Sequence, residues 1–184
     1  MAYGYEGSLV RLVPLEEERH FENCVRWMND PEVTDTLVVG AFPMTEVVER
    51  AWFRSLAERH GKDVLFAIET LEGRHIGNSG VHGIDFQTGT AQTGSFIGDP
   101  ADRGFGFGTD AAMARNRYVF QVLGLRQVYS SYFAGNEASA RMQEKAGYEI
   151  WGMKPNAIWK NGEWRDEVCT VLTRERWLAL FGGS

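Results

Sequence analysis

Cysteine is scarce. Cys24 and Cys169 are the two in 184 residues, too few for the disulfide framework of a small secreted domain. The opening residues, Met1-Ala2-Tyr3-Gly4-Tyr5-Glu6, lack the basic and apolar segments of a signal peptide, so a reduced, cytoplasmic setting is expected. No apolar run approaches the roughly 18 residues that cross a bilayer, which sets a membrane span aside. Positive charge is also short: Lys plus Arg is 19 against Asp plus Glu at 25, a formal charge of −6. Chains that bind nucleic acid or an anionic membrane by neutralising phosphates carry the opposite sign, so neither partner is expected. Repeats, linkers and low-complexity tracts are missing too. A length of 184 with 43% hydrophobic residues suits one globular domain, residues 1–184, with a core of its own.

Glycine, by contrast, is in excess, and ten of its 21 occurrences fall between Gly73 and Gly108. That density exceeds what ordinary turns need and lacks the repetition of a flexible linker.

The order of elements is mixed. Ser8–Val13 reads as a strand, and Pro14 with Glu16, Glu17 and Glu18 opens a helix whose acidic first turn suits the dipole. This helix runs to about Met28, where Asn29-Asp30-Pro31 stops it. Thr45 caps a second helix that carries Val48, Ala51, Trp52 and Leu56 at helical spacing and ends near Gly61. Short β-branched and aromatic runs follow at Val64–Glu69, His75–Phe86 and Thr90–Ile97, an antiparallel meander. Thr109–Leu123 returns to helical period, with Ala111, Ala114, Tyr118 and Val122 on one face. Gln127–Phe133 is a strand, and Asn136 caps a helix through Lys145. Two strands, about Tyr148–Trp159 and Glu163–Leu172, end the pattern around Asn161-Gly162, a strong hairpin signal. The expected fold is mixed α and β around one sheet, with a single strand–helix–strand crossover in the middle.

The most informative stretch passes from a strand, Phe96-Ile97, through Arg103-Gly104-Phe105-Gly106-Phe107-Gly108-Thr109 straight into a helix. Free backbone N–H groups at a helix N-terminus cradle anions, and glycine lets a phosphate approach closely. A mononucleotide P-loop requires Gly-Lys-Ser/Thr, and Gly108-Thr109-Asp110 has no lysine. The dinucleotide fingerprint is formally met by Gly106 to Ala111 but expects a ribose-binding acid about 20 residues later, and no acid lies between Asp110 and Glu137. A third pattern, Arg/Gln-x-x-Gly-x-Gly/Ala, holds the pyrophosphate of coenzyme A and fits Arg103 to Gly108 at every fixed position. A fourth reading is a glycine loop that only packs helix on sheet. A β-branched residue at Gly106 is expected to block a pyrophosphate while leaving the fold largely intact.

Beyond the loop, the chain resembles the GNAT superfamily of N-acetyltransferases, in particular its RimJ/RimL-like branch, over about residues 9 to 176. The resemblance rests on Leu9 to Leu12, Arg26 to Val33, Phe66 to Glu69, Ile76-Gly77, Asn136 to Ser139 leading to Lys145 to Tyr148, and Asn161 to Glu167. It implies a mostly antiparallel sheet splayed around the crossover, helices on both faces, and direct transfer of an acetyl group from acetyl-CoA to a primary amine. It implies that the pantetheine arm pairs with Ser95, Phe96 and Ile97, and that the pyrophosphate sits on Arg103, Gly104, Phe105, Gly106, Phe107, Gly108 and Thr109. The matching asparagine of the family also bonds the pantetheine amide, so Asn136 reads as cap alone or as cap and ligand. Ser139, Met142 and Gln143 share its helix face and should look toward the cofactor sulfur. An N–H near Ile97 is the candidate oxyanion donor, the bland alternative being a ladder partner.

Two departures limit how far the mechanism carries over. A tyrosine acid is common at the position matching Gln143, and a glutamate base at the one matching Gln92; glutamine serves neither role. Ser139 is then the candidate acid. The candidate bases are His82, Asp85 and Asp166, with ordered water as the alternative. His82 and Asp85 point to opposite faces of a regular strand, so only one could face a cleft. Trp27, Asn29 and Asp30 on one side, and Trp159 and Trp164 on the other, are the candidate acceptor-cleft walls, while Trp52 and Trp177 read as core. His20, His60 and His75 follow no ligand spacing, so no metal is expected, and Cys24 and Cys169 read as small buried groups. The acceptor is a protein N-terminus or a small-molecule amine, and a homodimer through strand or hairpin edges fits the family. The competing function is a non-catalytic acyl-CoA-binding module.

Overall fold

The computed structural model describes residues 5–182; the reading of Met1 to Gly4 lies outside them. The strands are β1 (Tyr5–Glu6), β2 (Val10–Pro14), β3 (Val64–Thr70), β4 (His75–Asp85), β5 (Thr90–Ile97), β6 (Gln127–Phe133), β7 (Glu149–Lys160) and β8 (Glu163–Thr173). The helices are α1 (Glu17–Met28), α2 (Pro31–Thr34), α3 (Glu46–Ser55), α4 (Phe107–Gln121), α5 (Glu137–Lys145) and α6 (Arg174–Phe181). The strands form one sheet in the order β1-β2-β3-β4-β5-β6-β8-β7. Neighbours are antiparallel except β5 and β6, which α4 joins as a parallel crossover. No helix among the described residues is long and apolar enough to cross a membrane.

Alternation along the strands assigns the two faces. On β3, Phe66 and Ile68 pack with Ala111 and Ala114 of α4. The next residue, Glu69, turns to α1, where Arg19 and His20 meet it. Helices therefore cover both faces, and a buried cluster around Val119, Phe120, Leu125, Val128, Leu172 and Trp177 fills the α4 side. The N-terminal strands are tied to this core by one carboxylate. Asp110, in the first turn of α4, accepts from the amides of Ser8, Leu9 and Val10 at 2.8 to 3.0 Å.

Several local expectations change. Asp30 caps α2 by accepting from the Glu32 amide at 2.9 Å, and Pro31 begins that turn instead of only ending α1, because proline at the first helical position forfeits an N–H that has no partner anyway. The helix α6 follows the last strand; Thr173 caps it, and its Trp177 enters the core as read. In α3 the buried pair is Glu49 and Phe53, with Val48 exposed, because the helix packs on α1, where Phe53 joins Phe21 and Cys24. Val122 is 56% exposed, since α4 ends at Gln121, before it. At the hairpin tip Asn161 and Gly162 both take positive φ, as the expected turn requires.

Candidate active site

The parallel ladder between β5 and β6 is short. It pairs Thr90, Ala91 and Gln92 with Gln127, Val128 and Tyr129 and then stops, so the two strands diverge in a V. Side chains stitch the apex: Ser130 Oγ donates to the Thr93 carbonyl at 3.0 Å, and Thr93 Oγ1 donates to the Tyr129 carbonyl at 3.1 Å. Above the apex lies a cavity of about 200 Å³. Thr93, Gly94 and Ser95 line it from β5, Ser130 to Phe133 from β6, Met142 and Gln143 from α5, Arg115 from α4, and Thr36 to Val38 from the loop after α2.

The open arm of β5 carries free donors. Gly98 donates to the Ile76 carbonyl at 2.9 Å, which makes Ile97 and Gly77 the neighbouring, non-hydrogen-bonded pair of the β4 ladder. In such a pair the N–H groups turn outward. The Ile97 N–H, and by the same alternation that of Ser95, therefore point to the side that β6 has left. Phe96 faces the opposite way, with its ring edge-on to Trp27.

This arm runs directly into the glycine loop. A bidentate Arg74–Asp102 pair at 2.6 and 2.7 Å anchors the turn that precedes it. Gly104 and Gly106 stand at φ +86° and +88°, which turns the chain back into α4 and leaves the first-turn amides of Phe107, Gly108 and Thr109 outside the helical ladder. Among the described residues no acceptor meets the amides of Gly104, Phe105 or Gly106. A Cβ at Gly104 would meet nothing within 4 Å, and one at Gly108 only Ile97 Cγ1 at 3.7 Å, so this bare backbone fits an anion at close approach. Arg103 lies over the rim, donating to the Glu32, Ile97 and Gly98 carbonyls. The expectation for Gly106 is corrected, however. At φ +88° a β-branched side chain strains the loop whatever binds there, and its Cβ would lie 3.3 Å from Leu9 Cδ1.

On α5, Asn136 caps the helix through the Ser139 amide at 3.0 Å. Met142 reaches the cavity. Gln143, 3% exposed, is a structural tie: its Nε2 donates to the Ser131 carbonyl at 3.2 Å and to Ser139 Oγ at 3.4 Å, and its Oε1 accepts from Thr170 Oγ1 at 2.5 Å. A tyrosine has no place in that network.

The other catalytic candidates fall elsewhere. His82 pairs with Gln92 in the closed part of the sheet; its ring lies over Gly80 and reaches toward Asp63 at 3.6 Å. Asp85 closes the β4–β5 turn by accepting from the Gln87 and Thr88 amides. Those bonds hold its carboxyl below the usual range. Neither lines the cavity, because the V opens only beyond Gln92. Asp166 accepts from the Asn156 amide at 2.8 Å, holding a bulge of β7, and faces a separate shallow depression with Ala134 and Trp164. Its neighbour Glu167 is the acid turned toward β6, accepting from Ser131 Oγ at 2.5 Å and from Lys154 Nζ at 2.9 Å. Those two donors hold it below its usual range.

The acceptor side is also rearranged. Trp27 is 1% exposed, packed under Gly98 and against His75 and Phe96, so it lies buried beneath the end of β5 and presents no wall to solvent. Asn29 exchanges hydrogen bonds with the Met44 backbone and so pins the following loop. Trp159 and Trp164 pair across the hairpin with centroids 5.6 Å apart and stay more than half exposed. The hairpin tip reaches that loop: Lys160 Nζ donates to the Leu37 and Val39 carbonyls at 3.0 and 2.7 Å. The residues left out of the sequence reading are Thr93, Ser130, Arg115 and Tyr148, whose partners come from distant elements.

Comparison with known proteins gives this geometry a family. Residues 10–149 match the acetyltransferase (GNAT) domain. The chain belongs to the GNAT acetyltransferase family. A relative in Bacillus subtilis (strain 168), the SPbeta prophage-derived uncharacterized N-acetyltransferase YokL, is 26% identical over 130 residues, 71% of this chain and 67% of its own. Among solved structures, spermidine N-acetyltransferase from Vibrio cholerae, in complex with CoA and spermine, aligns at a TM-score of 0.84. It is 17% identical and covers 92% of this chain and 98% of that one. Mycobacterium smegmatis RimJ in complex with CoA-disulfide aligns at 0.80, with 16% identity and 94% and 89% coverage. These two likenesses are of fold. This GNAT chain has the splayed, mostly antiparallel sheet and two-sided helical cover that the resemblance implied, and its enzyme class is N-acetyl transfer.

Proposed function

We propose that this GNAT enzyme moves an acetyl group from acetyl-CoA directly to a primary amine that enters between the 35–44 loop and the β7–β8 hairpin. The observation that carries the reading is continuity. The bare amides from Gly104 to Thr109 stand one short turn, Pro100–Asp102, away from the outward N–H groups of Ile97 and Ser95, and these lead to the apex cavity. A pyrophosphate on the loop, with Arg103 at its rim, sets the pantetheine along β5 as an added strand. The thioester then arrives beside Thr93 and Ser130. Amine nitrogen attacks the carbonyl carbon, the C–N bond forms, the C–S bond breaks, and the amine proton leaves as the thiolate takes one up. Ser139, one turn from the cap at Asn136, supplies the hydroxyl on the thiolate side.

With His82, Asp85 and Asp166 engaged elsewhere, the acceptor enters as the free amine and water carries its proton away. Protein N-termini and polyamines are the acceptor classes to test first, since the fold neighbours include RimJ and a spermidine N-acetyltransferase. Free-thiol release from acetyl-CoA across amines of both classes, with mass-spectrometric detection of the acetylated product, checks this reading. Saturable release with a product heavier by one acetyl group is expected; no release above hydrolysis across the panel overturns it.

A further inference from the structure

One charged side chain lines the apex cavity, and it is buried. Arg115 of α4 is 2% exposed. Its Nη1 donates to Ser79 Oγ and to the Gly94 carbonyl, both at 3.2 Å. Its Nη2 donates to the Tyr148 hydroxyl at 3.2 Å and to Asn116 Oδ1 at 3.5 Å, and its Nε is buried without an acceptor. Each of these partners is neutral, and no carboxylate lines the cavity. Two other buried carboxylates are matched, Glu69 by Arg11 and Arg19 and Asp102 by both arms of Arg74. Glu49 of α3, 4% exposed, can instead shed its charge by taking up a proton, since burial raises its pKa, a route closed to a guanidinium.

Neutral oxygens satisfy N–H groups but leave the net charge of a guanidinium desolvated, which is costly unless an anion joins it. A guanidinium is also the side chain best shaped for a carboxylate, which takes two parallel N–H groups from one edge of the fork. The edge formed by Nε and Nη2 holds the unpartnered donor and the longest of the four bonds.

We propose that Arg115 receives a carboxylate at the far end of the acyl group, so that the enzyme binds and transfers short dicarboxylic acyl groups from donors such as malonyl-, succinyl- or glutaryl-CoA. The inference rests on the donor path described above. A pantetheine descending β5 presents its acyl chain to the apex, and Arg115 reaches that apex from the α4 side beneath Gly94, whereas the acceptor loop at Thr36 to Val38 lines the cavity from another element. The chemistry balances as ordinary acyl transfer: amine N–H and thioester C–S are exchanged for amide C–N and free thiol, and the distal carboxylate takes no part in bond making.

Calorimetric binding of CoA thioesters needs no acceptor and tests this directly. Succinyl-, malonyl- and glutaryl-CoA are compared with acetyl-CoA and with uncharged butyryl-CoA, on the parent and on Arg115→Met, which replaces the buried charge by a side chain of similar length. At least one dicarboxylic donor is expected to bind about tenfold tighter than butyryl-CoA. That preference should vanish in Arg115→Met, read as the ratio of dicarboxylic to butyryl affinity within the variant. Thiol release with an active amine should show the same order. Equal affinity for dicarboxylic and butyryl donors in the parent, or a preference that survives Arg115→Met, overturns the proposal. So does an effect of the substitution on acceptor carboxylates alone. If Arg115→Met does not fold, the parent's donor ranking still decides, and Arg115→Lys, keeping the charge without the fork, should lose most of the preference. Acetyl-CoA binding with no dicarboxylic preference sinks this inference alone; failure to bind any thioester sinks the donor path with it.

Discussion

Ser130 Oγ donates to the Thr93 carbonyl across the point where the β5–β6 ladder ends, while the Thr93 hydroxyl donates to the Tyr129 carbonyl beside Ser130. The Thr93 hydroxyl also lies 2.8 Å from the Tyr148 hydroxyl. This pair replaces main-chain bonds by side-chain bonds at the root of the V, so the strands can part without leaving buried polar groups unmet. Replacing Ser130 by alanine strands the Thr93 carbonyl in a nearly dry site. A loss of about 1–3 kcal/mol is expected, read as a lower urea midpoint with unchanged m-value.

Arg103 tests the pyrophosphate cradle with little structural disturbance. Arg103 is exposed and bonds the Glu32, Ile97 and Gly98 carbonyls at 3.1 to 3.4 Å. Arg103→Ala is expected to weaken CoA binding about tenfold, the worth of one charge-assisted contact, while the melting temperature stays within a few degrees. Unchanged affinity would remove the anion-binding role of the rim.

Ser139→Ala removes the hydroxyl assigned to the departing thiolate but leaves the Asn136 cap, which uses the Ser139 amide. A kcat lower by about tenfold or more is expected, with acetyl-CoA affinity little changed. A fall in affinity with kcat preserved would make Ser139 a binding residue only.

Asp110 joins the N-terminal strands to α4 through three backbone donors. Asp110→Ala leaves all three without that acceptor, and a loss of about 2–4 kcal/mol is expected. The matching observation is faster amide exchange at Ser8, Leu9 and Val10. Exchange rates there equal to the parent's would falsify the tether.

Stability should also carry a histidine signature. Burial pushes His75 from the usual 6.5 down to about 4, and its edge-on neighbour His20 is lowered by burial too. The folded chain keeps His75 neutral where the unfolded chain takes up a proton, so between 6.5 and about 4 the unfolded state binds more protons. Unfolding free energy is then flat above that window and falls as pH drops through it, by up to about 3 kcal/mol from His75. Urea titrations across the window check the sign, and a rise in stability on acidification would contradict it.

How much of this was legible differs by residue. The turn at Gly104 and Gly106 and the Asn136 cap were readable because loop and cap chemistry is local: a positive φ and a helix start lie within a few positions. His82, Asp85 and Asp166 lie off the apex cavity, which their sequence positions did not reveal, because a strand's alternation reports its face but not how far along it the neighbouring strand departs. Gln143 looked like a missing acid in the sequence; its three partners on β6, β8 and α5 show it to be a tie.

The sequence by itself determined the element order, the crossover, the glycine loop into α4 and the family resemblance, since these depend on periodicity, turn chemistry and short spacings. Only the tertiary structure decided where the sheet opens and which polar groups gather at the opening. Thr93, Ser130, Arg115 and Tyr148 span 55 positions from first to last and are brought together by pairing of β5 with β6 and by packing of α4 on the sheet. The charge balance of a buried site is a sum over such long-range neighbours, and no local pattern contains it.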